Sequence, residues 1–267
     1  MRKIIFCLCL FGLWVLPTAV NAGILVEQGK VQLKFTPGQN TTGKLMVHNT
    51  EGKEIKIRAY WEDFEYQPPY DGAKKFMPPG SIPRSCSAWI KFTPTDFVLP
   101  PFAKQEIAYV INPPADSSGG YYGVMFFEPV VDRPQTKMGV KIVSRVGSLF
   151  FLESTPSKRE AGLKDFAFND PGMVMKFVNS GDVTLIPVGT FYVMSEQGDA
   201  VDRGDMDKIY VPGGATADYK IKFNAAYPAG KYTAVLTVDL GEENVLVKEV
   251  DFVKDAAGKI TLSAVRD

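Results

Sequence analysis

The chain of 267 residues contains a single histidine, His48, and only three cysteines. One histidine excludes a metal site built on a histidine pair, and no cysteine cluster is present to replace it. A serine–histidine–acid triad would have to use His48, and the sequence contains no G-x-S-x-G motif to present the nucleophile. We therefore interpret His48 as an ordinary strand residue. These absences argue against an enzyme, and we predict no catalytic residue, no metal ligand and no cofactor.

Long hydrophobic runs are absent after the first 22 residues. Arg2 and Lys3 precede an apolar run at residues 4–16, and small residues ending at Ala22 offer a cleavage site. The run is shorter than the ~20 residues of a membrane span. We predict that residues 1–22 are a signal peptide cleaved at about Ala22. The mature chain is then expected to be soluble and secreted, without an integral membrane segment.

An excess of positive charge is also absent, because 30 basic residues balance 30 acidic ones. Removing the two basic residues of the predicted signal leaves 28 against 30, a net charge of −2. Nucleic acid is therefore not expected as a partner, since its binding depends on concentrated positive charge. Only Cys86 survives the predicted cleavage, so no intrachain disulfide forms. We interpret Cys86 as a small buried residue, with a reactive thiol or an intermolecular bridge as the alternatives.

Helical patterning is missing as well, and the 19 prolines are spread through the chain. Short runs with apolar residues at every second position, such as residues 30–35, predict strands with one buried face. The predicted strands are 24–35, 43–48, 55–66, 88–93, 105–112, 120–128, 140–152, 163–168, 173–179, 188–195, 208–211, 217–223, 231–239 and 245–253. Many short strands separated by proline and glycine predict an all-β protein made of antiparallel sandwiches.

The second half of the sequence repeats the first in order. Residues 45–49, which end in Asn49, are echoed by residues 175–179, which end in Asn179. The run Phe97-Val98-Leu99-Pro100 is echoed by Ile209-Tyr210-Val211-Pro212, and a glycine-led strand follows each run. Two copies of one β-rich unit favour a protein that holds or binds something over one that performs a reaction.

The repeat predicts two tandem immunoglobulin-like domains, at residues 23–155 and 160–255, joined by a polar segment that contains proline. The first copy is longer, because residues 66–80 form an excursion rich in aromatics and prolines. Such loops are often functional. An alternative function is therefore a binding module for a surface polymer or matrix component. Four aromatic residues near this loop could then supply stacking faces, namely Trp61, Tyr66, Tyr70 and Phe76.

The apolar run at residues 140–152 is long for a strand. If it lies at the edge of a sheet, its free backbone groups could pair with an incoming strand and its apolar side chains could fill a gap in a partner. Otherwise both edges are covered and the run is the last strand of the first core. The candidate partner-binding residues are Val140, Ile142, Val146 and Phe150.

One stretch runs from Trp89 through Pro94 and Phe97 to Pro100, and residues 120–127 follow it. This stretch resembles the amino-terminal domain of periplasmic pilus-assembly chaperones, the PapD-like family. Leu149-Phe150-Phe151 is similar to the end of the strand that those chaperones donate to their subunits. The Gly120-Tyr121-Tyr122 pattern is also similar to immunoglobulin-like domains of bacterial surface-assembly proteins.

The resemblance spans residues 24–153 and implies a non-enzymatic periplasmic chaperone or assembly protein. Its expected partner is an exported subunit of pilin or surface-protein type, bound through strand-mediated contacts. The family also carries two basic residues in the cleft between its domains, which grip the terminal carboxylate of the subunit. Aligned on Leu149-Phe150-Phe151, the second of these positions falls on Val146, and Arg145 is expected on the opposite face of the strand. The resemblance therefore implies the architecture and not the carboxylate grip.

Overall fold

A computed structural model describes residues 23–130, 143–169, 172–224 and 227–267. The predicted signal peptide lies outside these residues. The described part of the chain is all-β and includes no helix that could cross a membrane. The prediction of an all-β fold is confirmed.

The first ten strands belong to the first half of the chain. They are β1 (Ile24–Val26), β2 (Lys30–Phe35), β3 (Thr41–Asn49), β4 (Ile55–Tyr66), β5 (Lys74–Met77), β6 (Ile90–Thr93), β7 (Asp96–Leu99), β8 (Lys104–Ile111), β9 (Gly120–Pro129) and β10 (Val146–Ser154). One sheet has the order β1-β3-β8-β6, and the facing sheet has the order β2-β10-β9-β4-β5, with β7 also paired to β4. All neighbours are antiparallel except β2 and β10, which run parallel.

The remaining strands form a second sandwich. They are β11 (Ala161–Asn169), β12 (Gly172–Asn179), β13 (Val188–Ser195), β14 (Ala200–Asp205), β15 (Thr216–Lys222), β16 (Gly230–Asp239), β17 (Val245–Lys254) and β18 (Ile260–Arg266). One sheet has the order β11-β12-β15 and the other β14-β13-β16-β17-β18. Strand β18 extends this sheet beyond residue 255, where the second domain was expected to end.

Several predicted strands have different bounds in the structure. Residues 24–35 were predicted as one strand, but they form β1 and β2, which belong to different sheets. Residues 208–211 form no strand and contribute only an isolated bridge between Leu185 and Val211. Strands β5, β7, β14 and β18 were not predicted. Each is seven residues or shorter and lies at or beside a sheet edge, where the burial that produces a period of two is weak.

Strand β9 is buried on both faces. Met125 and Phe127 enter the core between the two sheets of the first sandwich, whereas Val124 and Phe126 enter a second apolar cluster on the outer face. A strand covered on both sides requires apolar residues at successive positions. The outer cluster is covered by the excursion at residues 66–80, which supplies three of its aromatic or apolar side chains.

The sequence repeat corresponds to a repeated hydrogen-bonding unit. The buried Asn49 amide donates to the carbonyls of Lys53, Leu99 and Pro100 at 2.7, 3.1 and 2.9 Å. Its side-chain oxygen accepts the N–H of Glu51 at 2.9 Å. One side chain thus ties the end of β3 to the end of β7.

Asn179 does the same in the second half. Its amide donates to the carbonyls of Val183 and Val211 at 2.8 and 2.9 Å, and its oxygen accepts the N–H of Gly181 at 3.0 Å. The two halves are therefore structural copies, as the sequence repeat predicts.

The two halves are in direct contact. Arg159 donates to both carboxylate oxygens of Glu153, at 2.5 and 2.6 Å, and to the carbonyl of Leu240 at 3.1 Å. Lys34 pairs with Glu242 at 2.6 Å, and this hydrogen bond lowers the pKa of Glu242. Ionic contacts of this kind hold the first sandwich against the second.

A pair of glycines also lies at this junction. The N–H of Gly120 donates to the carbonyl of Asp182 at 2.9 Å. Gly119 has a φ of 80°, and a Cβ atom there would lie 2.7 Å from the same carbonyl oxygen. Both the backbone conformation and the close approach require glycine at position 119.

Candidate partner-binding site

The candidate site lies at the end of the first sandwich where β10 begins. Strand β10 pairs with β9 from Val146 onward, but its ladder with β2 starts only at Leu149. The N–H of Leu149 donates to the carbonyl of Gly29 at 3.0 Å, so the backbone groups of Gly147 point the same way, beyond the start of β2. In the described part of the chain, no strand pairs with this side of Gly147. Among the described residues, the backbone of β10 before Leu149 therefore has no strand partner on this side, although the chain before β2 lies close to it, since the Ser148 hydroxyl donates to the Gln28 carbonyl at 2.6 Å.

The predicted strand over residues 140–152 is only partly observed. It begins at Val146 and continues to Ser154, and residues 143–145 are not in strand conformation. Val140 and Ile142 lie outside the described residues. Among the described residues, β10 pairs with a strand on both sides from Leu149 onward and with β9 alone from Val146 to Ser148.

The two described candidates have different environments. Val146 is partly buried and packs against the edge of the first core. Phe150 is completely buried, with its ring centroid 5.2 Å from that of Trp61 and 5.2 Å from that of Tyr109. An incoming strand could not contact the Phe150 side chain without displacing the core. Phe150 therefore stabilises the sandwich, and its side chain is not part of the candidate site.

Arg145 lies on the opposite face of the sheet from Val146, where it was expected. Its guanidinium donates to Glu62 at 2.6 Å and to the Tyr60 hydroxyl at 3.0 Å, and it stacks 3.8 Å from the centre of the Phe126 ring. The hydrogen bond with Glu62 raises the pKa of Arg145. These contacts fix the path of the chain immediately before β10.

Three lysines gather around aromatic rings at the junction of the two halves. Tyr66 of the first half stacks on Tyr210 of the second, with centroids 4.9 Å apart. The ammonium of Lys74 lies 5.0 Å from the Tyr66 ring, and that of Lys208 lies 5.3 Å from the Tyr210 ring. The ammonium of Lys30 lies 5.0 Å from the ring of Phe151, a neighbouring member of the same apolar cluster.

Lys30 and Lys208 are close enough to repel each other, and the carboxylate of Glu153 only partly offsets this repulsion. Burial, followed by repulsion from Lys208, lowers the pKa of Lys30. Among the described residues, Lys30, Lys74 and Lys208 form no ion pair with a carboxylate. Positive groups that repel each other beside apolar rings form an environment suited to an anion.

Sequence reasoning missed this cluster because it looked for a basic residue near Val146. The lysines come from β2, from β5 and from the segment before Tyr210, which are far apart in the chain. The only signal was the lysine that opens the alternating run at residues 30–35. Its proximity to Lys208 depends on how the two halves meet, and no local pattern encodes that.

His48 and Cys86, the other residues considered in the sequence for a reactive role, have the surroundings of structural residues. His48 forms a 2.6 Å contact with Glu27, which also pairs with Lys104. Cys86 is buried and unpaired, as expected, and burial raises the pKa of its thiol. The described residues contain no group of three or more histidine, cysteine, aspartate or glutamate side chains that could hold a metal ion.

The excursion at residues 66–80 does not present four aromatic faces. Trp61 and Tyr66 are buried, so the prediction that they are available for stacking is wrong. The carbonyl of Tyr70 accepts the N–H of Tyr210 at 2.8 Å, which ties the loop to the second half. Only Phe76 is exposed, at 40%. The loop is used to cover the outer face of the sheet and to join the halves.

Comparisons with known proteins give a match at the level of the fold. No protein-family model and no curated protein matches the sequence. The class 5 fimbriae chaperone CfaA is similar in structure, with a TM-score of 0.54 and 14% identity over 84% of this chain and 97% of that one. A chain from a chaperone–tip adhesin complex of CFA/I fimbriae biogenesis has a TM-score of 0.50 and 14% identity over 85% and 97%. The chain therefore has the fold of periplasmic fimbrial chaperones, two tandem immunoglobulin-like sandwiches, as the resemblance implied.

Proposed function

We propose that this chain is a non-enzymatic chaperone or assembly protein of the periplasm, which binds an exported fimbrial-type subunit by strand pairing. The observation that carries the proposal is the backbone edge at Gly147, where β10 has, among the described residues, a strand partner on one side only. An extended segment of a subunit could add to the sheet there through main-chain hydrogen bonds.

The fold supports this function. A neighbour of similar architecture belongs to a chaperone–tip adhesin complex of CFA/I fimbriae biogenesis, which is consistent with a role in fimbrial assembly. At 14% identity the likeness concerns the fold, and the proposal for this chain depends on its own edge and side chains.

Apolar side chains supply the second part of the proposed contact. Val140, Ile142 and Val146 occupy positions of the same parity, so they share one face wherever the chain is extended. We propose that these side chains fill an apolar groove of the subunit while the backbone of β10 pairs with it.

The lysines at the junction supply the third part of the proposed contact with the subunit. We propose that Lys30 and Lys208 receive a carboxylate of the subunit, in place of a basic residue at position 146. A carboxylate between them would remove their mutual repulsion.

The proposal is tested by recovering the tagged chain from the periplasm of its own host under native conditions. We expect the wild type to bring down an exported subunit, and we expect Val146→Asp and Ile142→Asp to lose it because a buried charge in the groove is costly. Val188→Asp is the matched control, since Val188 is exposed on the second sandwich. Circular dichroism should show the same strand content for all four proteins. Full recovery of the subunit by both the Val146 and Ile142 variants would refute the proposal.

A further inference from the structure

The turn after the repeated proline has a different tip in each half. Both turns close in the same way, with the N–H of an alanine donating to the proline carbonyl, at 3.1 Å in the first half and 3.0 Å in the second. In each turn the residue before that alanine has a left-handed backbone. The second half uses Gly214, with a φ of 79°, whereas the first half uses Phe102, with a φ of 56°.

Glycine adopts this conformation freely, and phenylalanine is strained in it. The strain at Phe102 is not offset by burial, because its side chain is 71% exposed, the highest value among the large apolar side chains of the described residues. Its ring lies near Gly52, where a Cβ atom built on the glycine would lie 3.6 Å from the ring. A strained backbone that holds an exposed aromatic ring indicates a contact residue more than a packing residue.

Phe102 lies at the same end of the first sandwich as the start of β10. Strand β9 leaves the sheet there, and the N–H of Val130 donates to the carbonyl of Lys56 at 2.8 Å. Val130 and Val143 are exposed at 43% and 41%, and Val143 lies just before β10. Phe102, Val130 and Val143 are thus exposed apolar residues at the end of the sandwich where β9 ends and β10 begins.

The charges around this end are balanced. Glu51 pairs with Lys53 at 2.9 Å. Glu27 is shared by Lys104 at 3.2 Å and His48 at 2.6 Å. With no excess of either sign, the surface favours an apolar pocket on a protein over an acidic or membrane surface.

We propose that the ring of Phe102 enters an apolar pocket on the exported subunit, as an anchor beside the strand pairing. This inference rests on the proposed function, because a segment paired at Gly147 brings the body of the subunit over this end of the sandwich. The bound partner would then be held at two points, by backbone pairing and by one aromatic anchor.

The test replaces Phe102 by asparagine, which tolerates a left-handed backbone and has no ring. The probe is the exported subunit that copurifies with the wild-type chain. We expect Phe102→Asn to raise the Kd for this subunit at least about tenfold, as for a central aromatic anchor. The midpoint of thermal unfolding should stay the same or rise, because strain is relieved. Phe102→Gly, which introduces the glycine found at the equivalent position of the second half, should have the same effects on the Kd and on thermal unfolding. Val188→Thr is the control and should leave the Kd unchanged.

The outcomes separate this inference from the proposed function. An unchanged Kd in both Phe102 variants, while Val146→Asp abolishes binding, would overturn the inference alone. A lowered unfolding temperature in both variants would show that the ring packs structurally, and would overturn it as well. Weaker binding in the Phe102 variants with full binding by both Val146→Asp and Ile142→Asp would support the anchor and refute the proposed contact at β10. If no variant binds more weakly, both ideas fail.

Discussion

Asn49 and Asn179 show how one residue type carries a fold motif. Each is buried at the end of a strand and uses both ends of its amide, donating to carbonyls of a distant turn and accepting from a nearby N–H. Only asparagine and glutamine have a side-chain amide that donates and accepts in this way, and the glutamine side chain is longer. The repeat of asparagine at these two positions therefore reflects hydrogen bonding, whereas the hydrophobic positions around it reflect packing.

Replacing Asn49 by alanine is expected to lower the free energy of unfolding by about 3 kcal/mol, because it leaves buried carbonyls without donors. Urea denaturation measures this loss. Asn244→Ala is the control, since the bonds of Asn244 are exposed, and it should cost no more than about 0.5 kcal/mol. Equal stabilities for the Asn49 and Asn244 variants would contradict a structural role for the Asn49 amide.

Tyr122 gives the first sandwich a dependence on alkaline pH. Burial raises its pKa to about 12. Because the folded pKa lies above the value of about 10 in the unfolded chain, the stabilisation is complete below pH 10 and is lost as the pH rises through 12. The shift corresponds to about 2–3 kcal/mol. Between pH 9 and pH 11.5 we expect Tyr122→Phe to lose less stability than the wild type in denaturant titrations. Parallel losses in the two proteins would show that the hydroxyl does not contribute.

At the scale of elements, β10 shows what the sequence could and could not predict. The apolar run at residues 140–152 indicated a strand, and the strand exists, but its start depends on where β2 and β9 lie beside it. Phe150 and Val146 have the same parity, so the sequence could not tell that one is in the centre of the core and the other at its edge. Alternation defines a face and does not define depth along the strand.

Strand β18 was missed for a related reason. Its side chains are exposed along almost the whole strand, so no buried face leaves a pattern in the sequence. It is held by pairing with β17 and by contacts of Arg266 with Glu249 and Asp251, both at 2.9 Å. Exposed strands of this kind can be recognised only from the structure of the sheet, because the sequence carries no alternating pattern for them.

Removal of residues 260–267 is therefore expected to leave the second sandwich folded. The truncation loses the partial burial of Ile260 and exposed ion pairs, at a cost of about 1–2 kcal/mol. Thermal unfolding followed by circular dichroism should remain cooperative, with a lower midpoint. As a control, Arg266→Met alone should cost less than about 1 kcal/mol. A truncated chain without a cooperative transition would show that β18 is essential to the core.

At the scale of the whole molecule, the excursion at residues 66–80 is explained by the junction of the halves. Its aromatic residues could be recognised in the sequence as unusual, but their partner, Tyr210, belongs to the second half. The same is true of Gly119, whose turn conformation could be predicted but whose contact with Asp182 could not. Features that depend on how two domains meet leave no periodic signal in either.

The lysines at this junction are expected to bind the subunit through its carboxylate. Replacing both Lys30 and Lys208 by glutamine should weaken binding about tenfold or more and reduce its dependence on salt. Lys44→Gln is the control, because Lys44 is exposed and paired with Glu106. The lowered pKa of Lys30 means that its charge is lost at a lower pH than the 10.5 of an ordinary lysine, so wild-type binding should weaken as the pH rises toward that value. Unchanged binding by the double variant, measured by titration calorimetry, would remove the lysines from the site.

The most direct measurement is amide hydrogen exchange at Gly147, by NMR, in the free chain and in its complex with the copurifying subunit. The N–H groups of Val146 and Ser148 face β9 and should be protected in both states. The N–H of Gly147 faces away from β9, beyond the start of β2, and should exchange rapidly in the free chain and become strongly protected in the complex. If Gly147 exchanges equally fast in both states, the subunit does not pair with β10, and this chain does not hold its partner by strand addition.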